Sequence, residues 1–222
     1  MLRSTALAVT LFAGVAVTAA IRPSEARNSA IKVPVAVMKE APGGNRETAI
    51  FAGGCFWGVE GVFSHVKGVV SATSGYAGGS ASTAQYETVS SGATGHAESV
   101  KVVFDPRQVN YATLLRIYFS VVADPTQVNR QGPDEGTQYR TALFPLSAAQ
   151  TRVARAYISQ LSAARVFSAP IATRLEQQRG FFAAEGYHQD FMARNPNYPY
   201  IIVNDRPKVD ALKRIFPENW KA

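Results

Sequence analysis

Between Thr48 and Val66 the chain reads TAIFAGGCFWGVEGVFSHV, and its apolar residues change spacing once, at a pair of glycines. TAIFAGG (48–54) has the makeup of a short strand ending in Gly53 and Gly54. Beyond it Phe56, Val59, Val62, Phe63 and Val66 recur at helical spacing. The junction holds Cys55, the only cysteine among 222 residues. A lone thiol cannot close a disulfide within the chain, so the fold has to rest on a buried core. The chain is long enough to build one.

The rest of the pattern mixes strands and helices without strict alternation. Val69–Ala77 has strand character and runs into a Gly78-Gly79 turn. ESVKVVF (98–104) alternates, with Val100, Val102 and Phe104 on one face. Asn110 is placed to cap a helix whose apolar stripe is Tyr111, Leu114, Leu115, Tyr118 and Val122. Ser147 is placed to cap another, with Val153, Ala156, Tyr157 and Leu161 inward. Two short helices near 183–194 and 207–216 complete the reading. The expected fold is α+β, a two-layer sandwich with a central mixed or antiparallel sheet flanked by helices.

The first 26 residues read as an export signal: basic Arg3, an apolar acid-free run from Ala6 to Ala20, and small residues about Ser24-Glu25-Ala26. The run is shorter than the roughly 20 residues a membrane-spanning helix needs. An uncleaved anchor is the alternative. The expected location is periplasmic or secreted, with no stable membrane insertion after cleavage. Residues 27–47 carry Pro34, Pro42 and Gly43-Gly44 and read as a linker or extended arm; the catalytic domain is expected over 48–222. The formal charge is +7, and the basic residues are scattered rather than in blocks, which argues against nucleic-acid binding.

A single cysteine is either a small buried hydrophobe or a reactive group. Here the strand, glycine pair, cysteine and helix follow one another, which puts Cys55 at a helix N-terminus. Unpaired backbone N–H groups and the helix dipole favour an anion there, so a lowered thiol pKa is expected. Phe56 and Trp57 are either core or the walls of a small apolar pocket beside the sulfur. Glu98 shares its face of the alternating strand with Val100, Val102 and Phe104. It is either a strand-end residue in water or a buried carboxyl with a raised pKa, able to give a proton to a substrate oxygen.

AGGCFWGVE, SGYAGG, YETVSSGATGHAESVKVVFDP, ADPTQVNRQGPDEGTQYR and GYHQDFMARNPNYPYI, in this order, resemble the peptide methionine sulfoxide reductases of the A family. The resemblance runs from about Ile50 to Ile201. It implies that Cys55 attacks the sulfur of methionine-S-sulfoxide, in proteins or free, leaving a sulfenic acid. It makes Glu98 the acid for the sulfoxide oxygen and Tyr86 and Tyr139 hydrogen-bond donors to that oxygen. Phe56 and Trp57 correspond to residues that hold the substrate methyl. Asp134 is similar to a residue that helps order the site, or is an ordinary turn aspartate.

Many relatives carry further cysteines near the C-terminus that resolve the sulfenic acid. NPNYPYIIVNDRPKV contains none, and Ser90 stands where some relatives have cysteine. A one-cysteine reductase is therefore expected, with no bound cofactor or metal. It would be recycled by an external thiol: a thioredoxin-like protein, glutaredoxin or a small thiol. A monomer is expected. The rival chemistries are a Cys–His hydrolase drawing on His65, His96 or His188, a metal site without close ligand spacing, and a non-catalytic binder of oxidised proteins.

Overall fold

The computed structural model describes residues 30–41 and 43–222. The expected export signal, its cleavage region and the first residues of the expected arm lie outside the described residues. In chain order the elements are β1 (Glu47–Gly53), α1 (Phe56–Ser64), β2 (Val69–Ala77), α2 (Tyr86–Val89), β3 (Ala97–Phe104) and α3 (Tyr111–Ile117), the last prolonged by a wider π-helical turn over Tyr118–Val122. Then come β4 (Arg130–Gln131), β5 (Asp134–Glu135), β6 (Thr141–Phe144), α4 (Ala148–Ala163), β7 (Arg174–Leu175), β8 (Phe181–Ala183), α5 (Phe191–Arg194) and α6 (Arg206–Ile215).

Six strands form one sheet in the order β7-β6-β1-β3-β2-β8, and β4 pairs with β5 in a separate ribbon. Every pairing in the large sheet is antiparallel except β6 with β7, so the sheet is mixed. The architecture is the expected α+β two-layer arrangement. Alternation along β1 explains why: Ala49 and Phe51 point into the main core, while Ile50 and Ala52 join a smaller cluster with Ala142 and Phe144. The main core takes in the apolar faces of α1, α3, α4 and α6.

The helix caps read from the sequence are present. Asn110 Oδ1 accepts the Thr113 N–H at 2.8 Å, and Ser147 Oγ accepts the Gln150 N–H at 3.1 Å. Such caps satisfy backbone donors that a first helical turn leaves unpaired. Along α4 Val153, Tyr157 and Leu161 point inward as expected; Ala154 joins them in place of Ala156, which is only partly buried. Val66 is buried but lies past the end of α1, bridged to Trp220.

One expected helix is corrected. Residues 183–194 are not a continuous helix: the chain leaves β8, turns through 186–190 and makes only the short α5. Asp190 adopts a left-handed backbone (φ 51°), which breaks any helical run across it. The segment before β1 is extended and attached to the helical layer. Val33 is fully buried, its N–H bonds Ser120 Oγ, its carbonyl accepts Arg116 Nε, and the Tyr157 hydroxyl donates to the Pro34 carbonyl.

Candidate active site

The end of β1 and the start of α1 build the floor of a small cavity. Gly54 has φ +88°, and a Cβ there would stand 2.6 Å from Gln131 Cβ, so the sharp turn into α1 admits only glycine. Cys55 follows as the N-cap residue of α1 without a side-chain capping bond. The cap comes from another strand: Glu98 Oε2 accepts the Phe56 N–H at 3.0 Å. Glu98 is only 3 % exposed, which settles the choice between a solvent-facing and a buried carboxyl in favour of the buried one.

The cavity, of about 170 Å³, is lined by Cys55, Phe56, Trp57, Tyr86, Glu98, Asp134, Tyr139 and Tyr200. All seven residues singled out in the sequence meet here, from five separate stretches of chain. Tyr86 opens α2, whose first N–H is held at 2.9 Å by Glu185 Oε1. Tyr139 is brought in by its neighbour Arg140. That buried guanidinium binds the Glu176 carboxylate at 2.7 Å and 2.8 Å, the His96 carbonyl at 3.1 Å and the Gly95 carbonyl at 3.0 Å. It staples the segment before β6 to the entry of β3, and so sets Tyr139 beside Glu98.

Phe56 is fully buried, with its ring 5.9 Å from Tyr76 and 4.9 Å from His188. Trp57 is partly exposed and stacks on Phe191 with centroids 3.8 Å apart. The helical turn points the two rings differently, yet both reach the cavity wall, one as its base and one as its rim.

The electrostatics correct one expectation. Burial pushes the Cys55 thiol well above its ordinary pKa, and the Glu98 and Asp205 carboxylates push the same way; the Trp57 N–H pulls weakly against them. The helix N-terminus does not make Cys55 an anion in the empty site, because desolvation outweighs it and the Phe56 N–H is spent on Glu98. Burial also raises Glu98 to about 8, against which the Phe56 N–H pulls it down. The resting pair at neutral pH is thus a thiol beside a carboxylic acid. Burial raises Tyr86 and Tyr139 as well, so both keep their hydroxyl protons.

Sequence reasoning missed Tyr200, which lines the cavity and donates its hydroxyl to Asp134 Oδ2. It also missed Asp205, fully buried and paired to Lys208 at 3.2 Å. Asp205 explains Gly58, since a Cβ on residue 58 would lie 2.1 Å from Asp205 Oδ1. Neither residue stands in a periodic stretch; both belong to the π-helical turn before α6 and its approach. The spacing of GCFWG hints only that something approaches closely at its last glycine.

None of the three histidines lines the cavity. His65 stacks on Trp220 at 4.9 Å, and His96 is spent on the Gly79 N–H and the Ser80 carbonyl. His188 bonds the Trp57 indole rather than the thiol. A Cys–His hydrolase has no base in place.

Residues 47–220 match the family described as peptide methionine sulfoxide reductase. The chain is 58 % identical over 179 residues to the Mesorhizobium japonicum peptide methionine sulfoxide reductase MsrA 2, covering 81 % of this chain and 91 % of that one. It is 47 % identical over 180 residues to the Deinococcus radiodurans peptide methionine sulfoxide reductase MsrA, covering 81 % and 87 %. Among solved structures, methionine sulfoxide reductase A of Corynebacterium diphtheriae superposes with a TM-score of 0.59 at 30 % identity, covering 78 % of this chain and 92 % of that one. Reduced Mxr1 from Saccharomyces cerevisiae superposes with a TM-score of 0.62 at 30 % identity, covering 73 % and 92 %. With the sheet, the thiol and the acid already in their places, the chain belongs to the peptide methionine sulfoxide reductase family and is an enzyme of its A branch.

Proposed function

We propose that this reductase turns over methionine-S-sulfoxide through Cys55 alone, by way of a sulfenic acid cleared by an external thiol. The observation that carries the reading is the pairing of a buried thiol with a carboxylic acid that is protonated at neutral pH, inside one cavity also lined by Tyr86 and Tyr139.

The sulfoxide oxygen accepts hydrogen bonds from Tyr86 and Tyr139 and the proton of Glu98. Sharing that proton makes the substrate sulfur more positive, and a positive neighbour favours ionisation of the thiol. Glu98, having given a proton to the oxygen, receives the one Cys55 loses. The thiolate sulfur then bonds to the substrate sulfur while Phe56 and Trp57 hold the methyl. The new S–S bond and the substrate's S–O bond then break as the hydroxyl passes to Cys55; the substrate leaves as a thioether, and Cys55 is left as a sulfenic acid. Two electrons have moved from Cys55 to the substrate. Donors fixed before the reaction stabilise the charge on oxygen without reorganising. A first external thiol condenses with the sulfenic acid, releasing water and forming a mixed disulfide. A second thiol frees Cys55 and leaves as the disulfide of the two. Asp134, bonded by Tyr200, orders its part of the cavity wall.

With no second cysteine in 222 residues, the chain itself cannot supply the resolving sulfur. A thioredoxin-like protein, glutaredoxin or a small thiol fills that role. The basic and apolar start of the sequence fits work outside the cytoplasm, which N-terminal sequencing of the mature protein from each cell fraction checks.

The test omits reductant. Protein incubated with methionine-S-sulfoxide should gain one oxygen at Cys55 and release one methionine per chain, then stop until a thiol is added. A mass unchanged by substrate, or turnover that persists in Cys55→Ser, overturns the reading.

A further inference from the structure

We propose that His188 is a positioning residue for this reaction: its Nδ1 accepts the Trp57 Nε1–H and so fixes the in-plane orientation of the indole that walls the methyl site. The proposal rests on the reductase reading above, and it concerns a residue outside the cavity lining.

Trp57 is held by two different kinds of contact. Its face stacks on Phe191 with an interplanar angle of 10° and centroids 3.8 Å apart. Stacking fixes the plane of a ring but lets it slide and turn within that plane. The only polar atom of an indole is its N–H, a donor. That donor meets His188 Nδ1 at 3.2 Å, and a bond at the ring's edge removes the remaining freedom. Tyr198 and Tyr200 meet Trp57 edge-on at 6.2 Å and 6.0 Å, so no further polar contact is needed to hold it.

His188 is itself tightly packed. It is 2 % exposed, and its ring lies 4.9 Å from Phe56, 4.5 Å from Tyr86 and 4.2 Å from Tyr187. Its turn is tied to α1 and β2. The Asp190 N–H bonds Glu60 Oε2 at 3.1 Å, and the Gln189 amide exchanges two bonds of 3.0 Å with the Ser74 backbone.

Accepting from Trp57 requires Nδ1 to be bare, so the neutral ring carries its proton on Nε2. No hydrogen-bond partner reaches Nε2 among the described residues, and the nearest carboxylate, Glu185, has Oε2 at 4.0 Å. Glu185 accepts the Tyr76 hydroxyl at 2.8 Å and the Tyr86 N–H at 2.9 Å. The carboxylate facing the Nε2 proton thus also anchors the turn that delivers Tyr86. One short segment, Glu185 to His188, thereby registers a donor for the sulfoxide oxygen against the wall for the methyl.

The experiment has two arms on the full chain. A long-range ¹⁵N–¹H spectrum of the substrate-free protein, assigned by the loss of signal in His188→Asn, should show His188 as the Nε2–H tautomer. The Nδ1–H tautomer overturns the proposal. In the second arm, His188→Leu keeps bulk but has no acceptor, whereas His188→Asn places an amide oxygen close to Nδ1. His188→Leu should lose about tenfold in kcat/KM, mostly as a higher KM, as loss of a single orienting hydrogen bond would. His188→Asn should recover most of it. In a Trp57→Phe background, where no N–H remains to be held, His188→Leu should cost less than about twofold. Equal damage from Leu and Asn, or an undiminished penalty in the Trp57→Phe background, overturns the assignment. The tautomer is read without substrate, so it decides the hydrogen bond even for a chain that reduced no sulfoxide, a result that would fail the reductase reading alone.

Discussion

Glu98, on β3, accepts the first free N–H of α1, that of Phe56, at 3.0 Å. The residue proposed to protonate the oxygen is therefore the cap of the helix that begins beside the Cys55 thiol. Through this one bond the acid and the thiol share a helix end, and a change in either is felt by the other.

Glu98 holds its proton up to about pH 8. Above that it becomes a carboxylate, the acid is lost, and its charge discourages ionisation of Cys55, so kcat/KM should fall as pH rises past 8. In Glu98→Gln the rate should drop by about 10²- to 10⁴-fold. Because the Glu98 charge is one cause of the raised thiol, the midpoint of Cys55 alkylation against pH should move down in that variant. A midpoint that stays or rises contradicts this coupling.

Gly58→Ala should destabilise the fold by about 2–4 kcal/mol, measured by denaturant unfolding. The new methyl would meet Asp205 Oδ1 at 2.1 Å and Cγ at 2.6 Å, and a buried ion pair cannot swing away as a surface side chain would. Unchanged stability would mean that α1 and the turn before α6 slide apart freely.

Glu60 lies in α1 with Ser74 and Asp190 as partners, and burial raises it to about 7. Since the folded pKa lies above the ordinary value of 4.5, its contribution is fully present below about pH 4.5 and lost as pH rises through 7. The wild type should therefore lose ~2 kcal/mol more than Glu60→Gln between pH 5 and 8. Parallel stability profiles for the two proteins would rule this out.

Arg140→Lys should lower kcat/KM by tenfold or more and cost ~3 kcal/mol. An ammonium cannot bind Glu176 at two points while reaching the Gly95 and His96 carbonyls, so Tyr139 would leave its place beside Glu98. Full activity on blocked methionine sulfoxide in this variant would separate Tyr139 from the arginine.

The sequence made the junction at Cys55 readable because two glycines mark a sharp turn and the apolar period changes there. Glu98 was half readable, since alternation placed it on the buried face but could not exclude a strand end. Tyr86, Tyr139 and Asp134 came from motif likeness alone; each stands in an element of two to four residues, too short for spacing to carry a signal. The acidity of Cys55 was read with the wrong sign. A helix N-terminus shows in the pattern of a chain, whereas the depth of a thiol and the carboxylates from positions 98 and 205 appear only once distant segments meet. The expected helix at 183–194 fails at Asp190, which takes a left-handed backbone and gives its N–H to Glu60 of α1, a partner far away in sequence.

The burial that lifts the Cys55 thiol has a protective side. Peroxides and electrophiles consume thiolates far faster than neutral thiols. An idle molecule of this enzyme therefore offers little to the same oxidants that damage methionine elsewhere. On the proposed mechanism its sulfur ionises only once a sulfoxide fills the cavity, so the reactive form and its intended oxygen arrive together.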